Sequence, residues 1–246
     1  MAGLTYTTYK TQIAQMAVVA EDDPNFLAIL PMMIDYANLR ICRDLDLLFT
    51  SASLYGAGYK LTGGNRNLSF SQDLGSGTSF VVSEQINLIT PAGQTNPNTA
   101  TRTPLMPTTK EFLDAVYGSS LTANLGQPKY FVPFNDTAFL VGPVPDADYY
   151  VEVVGTIRPA PLSASVPTTF ISQYLPDVLV MASMIYISAY QRNFGKESDD
   201  PQMAQSYENQ YQLLLKSAGV EEARKKFEGA AWSSQSPATV ASPTRG

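Results

Sequence analysis

Histidine is absent from this chain of 246 residues, and cysteine occurs once, at Cys42. Without histidine there is no Ser-His-Asp or Cys-His nucleophile, no imidazole acid–base group and no His-ligated zinc. One cysteine makes no intrachain disulfide and no Cys-rich metal site. Cys42 lies in an apolar helical pattern and reads as a reduced core thiol. Charge is scarce too: Asp, Glu, Lys and Arg make up 15% of the residues, against about a quarter in an ordinary globular chain. The net charge of −6 argues against a nucleic-acid binder, which needs a basic stripe to meet phosphates. No stretch approaches the ~18 uninterrupted apolar residues of a membrane-spanning helix. The opening MAGLTYTTYK lacks the charged-then-apolar order of a secretory signal. The expected setting is a reducing cytosol, at least at first, with no membrane contact.

What the chain has in place of charge is hydroxyl and amide. Such a surface is buried against other chains at modest desolvation cost. The length suits one large domain or two small ones.

Residues 1–50 carry helical spacing. Tyr6, Tyr9, Ile13, Met16 or Ala17, and Ala20 form one stripe; Phe26, Leu30, Ile34, Ala37, Ile41 and Leu45 form a second. Pro31 interrupts the second, and the preferred reading is a short helix ending at Leu30 and a new one starting with Pro31. Residues 48–107 change to short β-favouring pieces, LFTSASLYG, NLSFS and FVVSEQINLIT, separated by Gly-rich turns at 56–58, 63–64 and 75–77. The polar stretch 89–104 reads as a mobile hairpin tip or a loop placed for contact. Thr108 with Glu111 predicts a capping box on a short helix, about 109–117, with an apolar face of Phe112, Leu113 and Val116.

Strands resume over 126–158, with a tight hairpin at Asn135-Asp136. The last strand alternates, Tyr149, Val151 and Val153 against Tyr150, Glu152 and Val154. A Pro/Ser-rich linker, 159–171, leads to a helix from about Pro176 to Phe194 that is apolar on nearly every side and therefore central. Gly195 stops it. Asp200-Pro201 restarts helix with a stripe of Ala204, Tyr207, Tyr211, Leu214 and Ala218, and Gly219 is a stop or kink. The fold class expected is α+β. A helical bundle from the terminal blocks (1–47 and 172–228) carries an inserted antiparallel β-rich region (48–171, with one short helix). An extended C-terminal arm follows, 229–246. The arm's Gly, Ala, Ser, Pro and Thr bury too little apolar area to fold alone.

Chemistry is mostly missing. The paired carboxylates Asp22/Asp23 and Asp199/Asp200 precede prolines and read as helix N-termini. Neither the glycosidase pair nor the calcium loop has its spacing. The Gly-rich pieces lack the phosphate-binding patterns and read as hairpin turns. Residues 216–246 hold five positive and three negative charges, too little for phosphate binding. The 14 tyrosines and 11 phenylalanines fall mostly at core-periodic positions, which favours packing over a stacking platform. Trp232, the single tryptophan, is either an anchor for a partner's pocket or an incidental tail residue. No catalytic residue, metal or cofactor is expected.

Three segments together resemble the phage head-to-tail adaptor (connector) proteins that ring the portal in short-tailed phages. The first is IDYANLRICRDLDLLFT, a helix running straight into a strand. The second is GQPKYFVPFNDTAFLVGPVPDADYYVEVVGTIRP, with Gly126, Pro128, Tyr130, Pro143, Pro145 and Tyr149 at that group's spacing. The third is the closing pair of helices, one apolar and one striped with Tyr and Leu, before a polar tail. The resemblance runs from about 5 to 228. It implies a non-enzymatic homo-oligomeric ring, 12-fold, bound to the portal protein above and to tail or nozzle proteins below. DNA would pass through its lumen without sequence-specific binding. It further implies a place at the portal vertex of the virion after assembly in the host cytoplasm, and a C-terminal arm reaching the portal. Arg224, Lys225, Lys226, Phe227 and Trp232 are the expected portal-binding residues. The alternatives are a β-rich carbohydrate- or protein-binding virion module and, last, a histidine-free hydrolase.

Overall fold

The computed structural model describes residues 3–118, 124–192 and 201–229. The fold is mixed α+β, with six α-helices among the described residues. The chain divides into two compact units, one of Met1–Phe49 with Ala160–Gly246 and one of Thr50–Pro159.

The first unit holds helices α1 (Tyr6–Met16) and α2 (Pro24–Asp44) before the second unit is inserted. Thr5 caps α1 through a reciprocal pair with Thr8: its hydroxyl accepts from Thr8 N at 3.3 Å, and its own N–H donates to Thr8 Oγ1 at 2.8 Å. Asp23 caps α2, its Oδ1 accepting from Asn25 N (2.8 Å) and Phe26 N (3.0 Å), with Pro24 opening the first turn. That is the N-terminal role expected of Asp22/Asp23, worth about 1 kcal/mol. Contrary to the break expected at Pro31, α2 is continuous and Pro31 lies inside it. The ring removes one hydrogen bond and costs about 3 kcal/mol. The stripe on both sides of it, Phe26, Leu30, Met33, Ile34, Ala37 and Ile41, is buried. Burying each such side chain contributes about 1.5–3 kcal/mol, enough to hold the helix together across the proline.

The inserted unit carries one helix, α3 (Lys110–Tyr117), and the first unit resumes after it. Then follow α4 (Phe170–Tyr174), α5 (Pro176–Arg192) and α6 (Pro201–Gly229). Val178, Leu179, Val180, Ala182, Met184 and Ile187 of α5 are buried in one core with α1, α2 and the Tyr211 and Ala218 positions of α6. Two phenols are buried there with their hydroxyls satisfied. Tyr9 donates to Ser183 Oγ at 2.5 Å, and Tyr211 donates to Asp44 Oδ2 at 2.8 Å. Gly219 does not stop α6, which runs on to Gly229. The expected stop at Gly195, the cap at Asp200 and the arm beyond Gly229 lie outside the described residues.

The second unit is mostly strand. In chain order these are β1 (Ser51–Leu54), β2 (Lys60–Leu61), β3 (Asn67–Ser69), β4 (Asp73–Gly75), β5 (Thr78–Thr90), β6 (Thr101–Pro104) and β7 (Met106–Pro107). After α3 come β8 (Leu125–Gly126), β9 (Tyr130–Pro133), β10 (Ala138–Gly142), β11 (Val144–Pro145) and β12 (Tyr149–Arg158). The largest sheet has the order β1-β12-β5-β4, with β2 also on β12 and β6 also on β5, all antiparallel. A second sheet has the order β3-β10-β9-β7. Two short pairings, β7 with β9 and β8 with β11, are parallel, where only antiparallel strands were expected over 126–157. Phe80, Ile86, Leu88, Phe131, Phe139, Val141, Val151 and Val153 make a separate core.

Three local expectations shift. Residues 101–104 of the polar 89–104 stretch are strand, paired Thr90↔Thr101 to Asn87↔Pro104, so the hairpin tip is 91–100. The cap of α3 is Thr109, whose Oγ1 accepts from Phe112 N at 3.3 Å; this moves the helix start by one residue and removes the capping box. On its face only Leu113 is buried, while Phe112 and Val116 stay exposed. The Asn135 turn forms as expected, its Oδ1 accepting from Thr137 N and Ala138 N.

Candidate functional site

The expected portal-binding cations sit on the last turns of α6. Arg224 is exposed. Lys225 Nζ lies 2.7 Å from Glu221 Oε1 and 2.8 Å from Glu222 Oε1, and 5.6 Å from the Phe170 ring centre. Hydrogen bonds to Glu221 and then Glu222 hold the Lys225 ammonium above its ordinary pKa. Lys226 pairs with Asp46. Two of the three cations are therefore engaged by carboxylates of their own unit. The Phe227 side chain and Trp232 lie outside what the structure describes. Sequence reasoning missed the carboxylate at the centre of this cluster. Glu222 is buried and accepts from Leu48 N (3.1 Å) as well as from Lys225, so it caps the turn at Leu48–Thr50. Its signal in sequence was the Glu-Glu pair three and four residues before Lys225.

A second charged cluster joins α2 to α6. Arg40 makes a forked contact to Glu208, Nη1 to Oε2 at 2.9 Å and Nη2 to Oε1 at 2.6 Å, and its Nε lies 3.5 Å from Asp44. The guanidinium stacks 4.5 Å over the Tyr211 ring. These contacts lower the Glu208 pKa, chiefly through the Arg40 hydrogen bonds. A cavity of about 440 Å³ opens beside the cluster, lined by Tyr36, Leu39, Arg40, Arg43, Asp44 and Tyr186. It presents one exposed guanidinium, Arg43, and two tyrosine rings 5.5 Å apart.

The third cluster is in the β unit, on the side of β12 that carries Tyr150, Glu152 and Val154. Glu152 is only 4% exposed. Its Oε1 accepts from Ser53 Oγ (2.6 Å), and its Oε2 from Asn87 Nδ2 (2.9 Å) and Arg102 Nε (2.8 Å). Arg102 also donates to Asn98 Oδ1 at 2.8 Å, which ties the 91–100 tip to the sheet. Burial alone would raise the Glu152 pKa; the hydrogen bonds from Arg102, Ser53 and Asn87 outweigh it and lower it. The sequence signal was one glutamate inside YYVEVV, on the opposite side of the strand from Val151 and Val153.

Among the described residues no group of three or more His, Cys, Asp or Glu side chains is placed to hold a metal ion. No described helix is long and apolar enough to cross a membrane. The three clusters position elements and surfaces. Compared with known proteins, the chain matches the family described as SU10 adaptor protein over residues 4–241. No curated protein matches it.

Proposed function

The chain belongs to the SU10 adaptor protein family, structural phage head-to-tail adaptors and not enzymes, and on that premise we propose how it works in the virion. Copies assemble as a symmetric ring, twelve-fold as in the adaptors it resembles. The ring is seated between the portal protein and the tail or nozzle proteins, with DNA passing through the lumen. It carries no catalytic group and takes no cofactor. The match over nearly the whole chain is the observation that carries this reading.

Two physical features support it. A chain with only 15% charged residues can bury surface against neighbouring copies, the portal and the tail without stranding many ions. A net charge of −6 keeps DNA from adhering to the passage. The test is the mass of the assembled complex. Native mass spectrometry of the protein mixed with portal rings is expected to give portal plus a fixed multiple of this chain. A protein that stays monomeric beside portal rings at saturating ratios would overturn it.

A further inference from the structure

The β9–β10 hairpin holds a large aromatic side chain out at its tip. Pro133 and Phe139 face each other on the last rung. Beyond them, Phe134 N and Asn135 N both donate to Ala138 O, at 2.8 and 3.1 Å. Asn135 Oδ1 accepts in return from Thr137 N (3.0 Å) and Ala138 N (2.7 Å). These bonds fix the turn, so docking it costs little further backbone entropy. Phe134 is 65% exposed, the most exposed phenylalanine among the described residues. Asp136, two residues on, is exposed and makes no ion pair among the described residues. An aromatic ring on a rigid turn, with a carboxylate beside it, has the form of an interface anchor.

The helical unit carries a cavity of matching chemistry. Its volume of about 440 Å³ is formed by side chains of α2 and α5, and falls within the ~300–1,000 Å³ of pockets that enclose small groups. Tyr36, 43% exposed, and Tyr186 set their rings at 51° to each other, which leaves edges and faces for a third ring. Most of the charge in the lining is already engaged. Arg40 is forked onto Glu208 and stacked on Tyr211. Asp44 accepts from the Tyr211 hydroxyl at 2.8 Å and faces Arg40 Nε at 3.5 Å. Arg43 is exposed and makes no ion pair among the described residues, so it is the lining cation left for an incoming carboxylate. Tyrosine and arginine are also the residues in which interface hot spots concentrate.

We infer that the Phe134–Asp136 tip of one copy seats in this cavity of the next, with Phe134 against Tyr36 and Tyr186 and Asp136 on Arg43. This rests on the ring reading above. The partner is a second copy because the chain itself supplies both halves: an unburied ring beside an unpaired carboxylate, and a tyrosine-lined hollow beside an unpaired guanidinium. The tip belongs to the inserted unit and the cavity to the helical unit, so the contact joins two different surfaces. A contact of that kind runs head to tail from copy to copy, and closes into a ring when the rotation allows. Each copy gives one tip and receives one. A buried aromatic side chain covers about 150–250 Å², whereas a whole stable interface covers about 1,200–2,000 Å². The tip therefore fixes register and partner choice within a larger junction.

The test is charge exchange in the full chain, read as the yield of ring-mass complex with portal rings in native mass spectrometry. Phe134→Ala and Asp136→Arg change exposed side chains, so circular dichroism is expected to be unaltered, and each is expected to lower ring yield about tenfold. Arg43→Asp is expected to do the same. It places a second carboxylate beside Asp44 in the last turn of α2, so Arg43→Gln is the milder companion, with a loss of about threefold. The double variant Asp136→Arg/Arg43→Asp is expected to recover ring yield to within about threefold of the unsubstituted chain. A merely structural role for Arg43 gives no such recovery. Should the Arg43→Asp chains fail to fold, Phe134→Ala and Asp136→Arg decide alone. Ring yield undiminished in those two, or a folded double variant no better than the worse single one, overturns the contact and leaves the ring reading standing. So do variants that form normal rings on the portal and lose only the tail proteins, which would assign the tip to the tail. An unsubstituted chain that forms no oligomer with portal rings overturns both.

Discussion

Glu152 holds a charge where the strand pattern leaves room for a solvated one, and its surroundings decide what it contributes. Ser53, Asn87 and Arg102 supply its hydrogen bonds, and Arg102 is 41% exposed, so part of the pair is screened by water. Glu152→Gln keeps the shape and removes the charge. Hydrogen bonds to a charged group are worth about 1.5–3 kcal/mol, and screening on the Arg102 side brings the expected loss to about 1–2 kcal/mol. Urea unfolding near neutral pH measures it. The sign of the pH effect follows from the lowered folded-state pKa. The contribution is full above the unfolded-state value, about 4.3, and is lost as pH falls through the lower folded value. The stability gap between wild type and Glu152→Gln is thus flat above about pH 5 and closes in more acidic solution. A gap that stays constant down to about pH 2 would place the effect in packing and not in charge.

Among the elements, two glycines make opposite predictions. A Cβ on Gly155 would collide with the carbonyl oxygen of Val82 and lie 3.1 Å from both Phe80 Cε2 and Ser83 Cα, where β5 and β12 change register. Two of these atoms are backbone and cannot swing away. Gly155→Ala is expected to lose at least about 2 kcal/mol and to broaden the unfolding transition of the β unit. A Cβ on Gly219 meets only Leu45 Cδ2 at an ordinary 3.7 Å, inside a helix. Gly219→Ala is expected to gain about 0.5–1 kcal/mol, read as a higher melting temperature. A loss there would show that α6 bends at this residue. The same positions mark how far the sequence could be read. The α5 run and the Tyr/Leu stripe of α6 were legible because burial repeats with the helical period. Pro31 and Gly219 misled because local propensity was set against a stripe of core contacts on both sides, and the stripe prevailed. Glu152, Glu222 and Glu208 were not legible as sites. Their partners, Arg102, Leu48 and Arg40, stand 50, 174 and 168 residues away, and spacing reveals only neighbours along one element.

For the whole molecule, the proposed junction needs a surface that is stable alone and adhesive in assembly, and the C-terminal region divides those duties. Lys225 and Lys226 are paired inside their own unit, while Arg224 points its charge outward. Lys225→Ala strips the buried Glu222 of one of its two donors, so it is expected to lower stability by about 1–2 kcal/mol in thermal melts. Its effect on portal docking is expected to be smaller. Trp232 is the large apolar group of the proposed arm. Burying it fully in a portal pocket would contribute about 2–3 kcal/mol. Trp232→Ala is therefore expected to weaken portal co-sedimentation about 30- to 150-fold, at 1.4 kcal/mol per tenfold. Its melting temperature should not change. Because α6 runs to Gly229, the deletion that isolates the arm removes 230–246 and leaves the helix whole. That deletion should reproduce most of the Trp232→Ala loss with an unchanged circular dichroism spectrum. Docking that survives both would move the portal contact off the arm, to Arg224 or to another exposed face of the body.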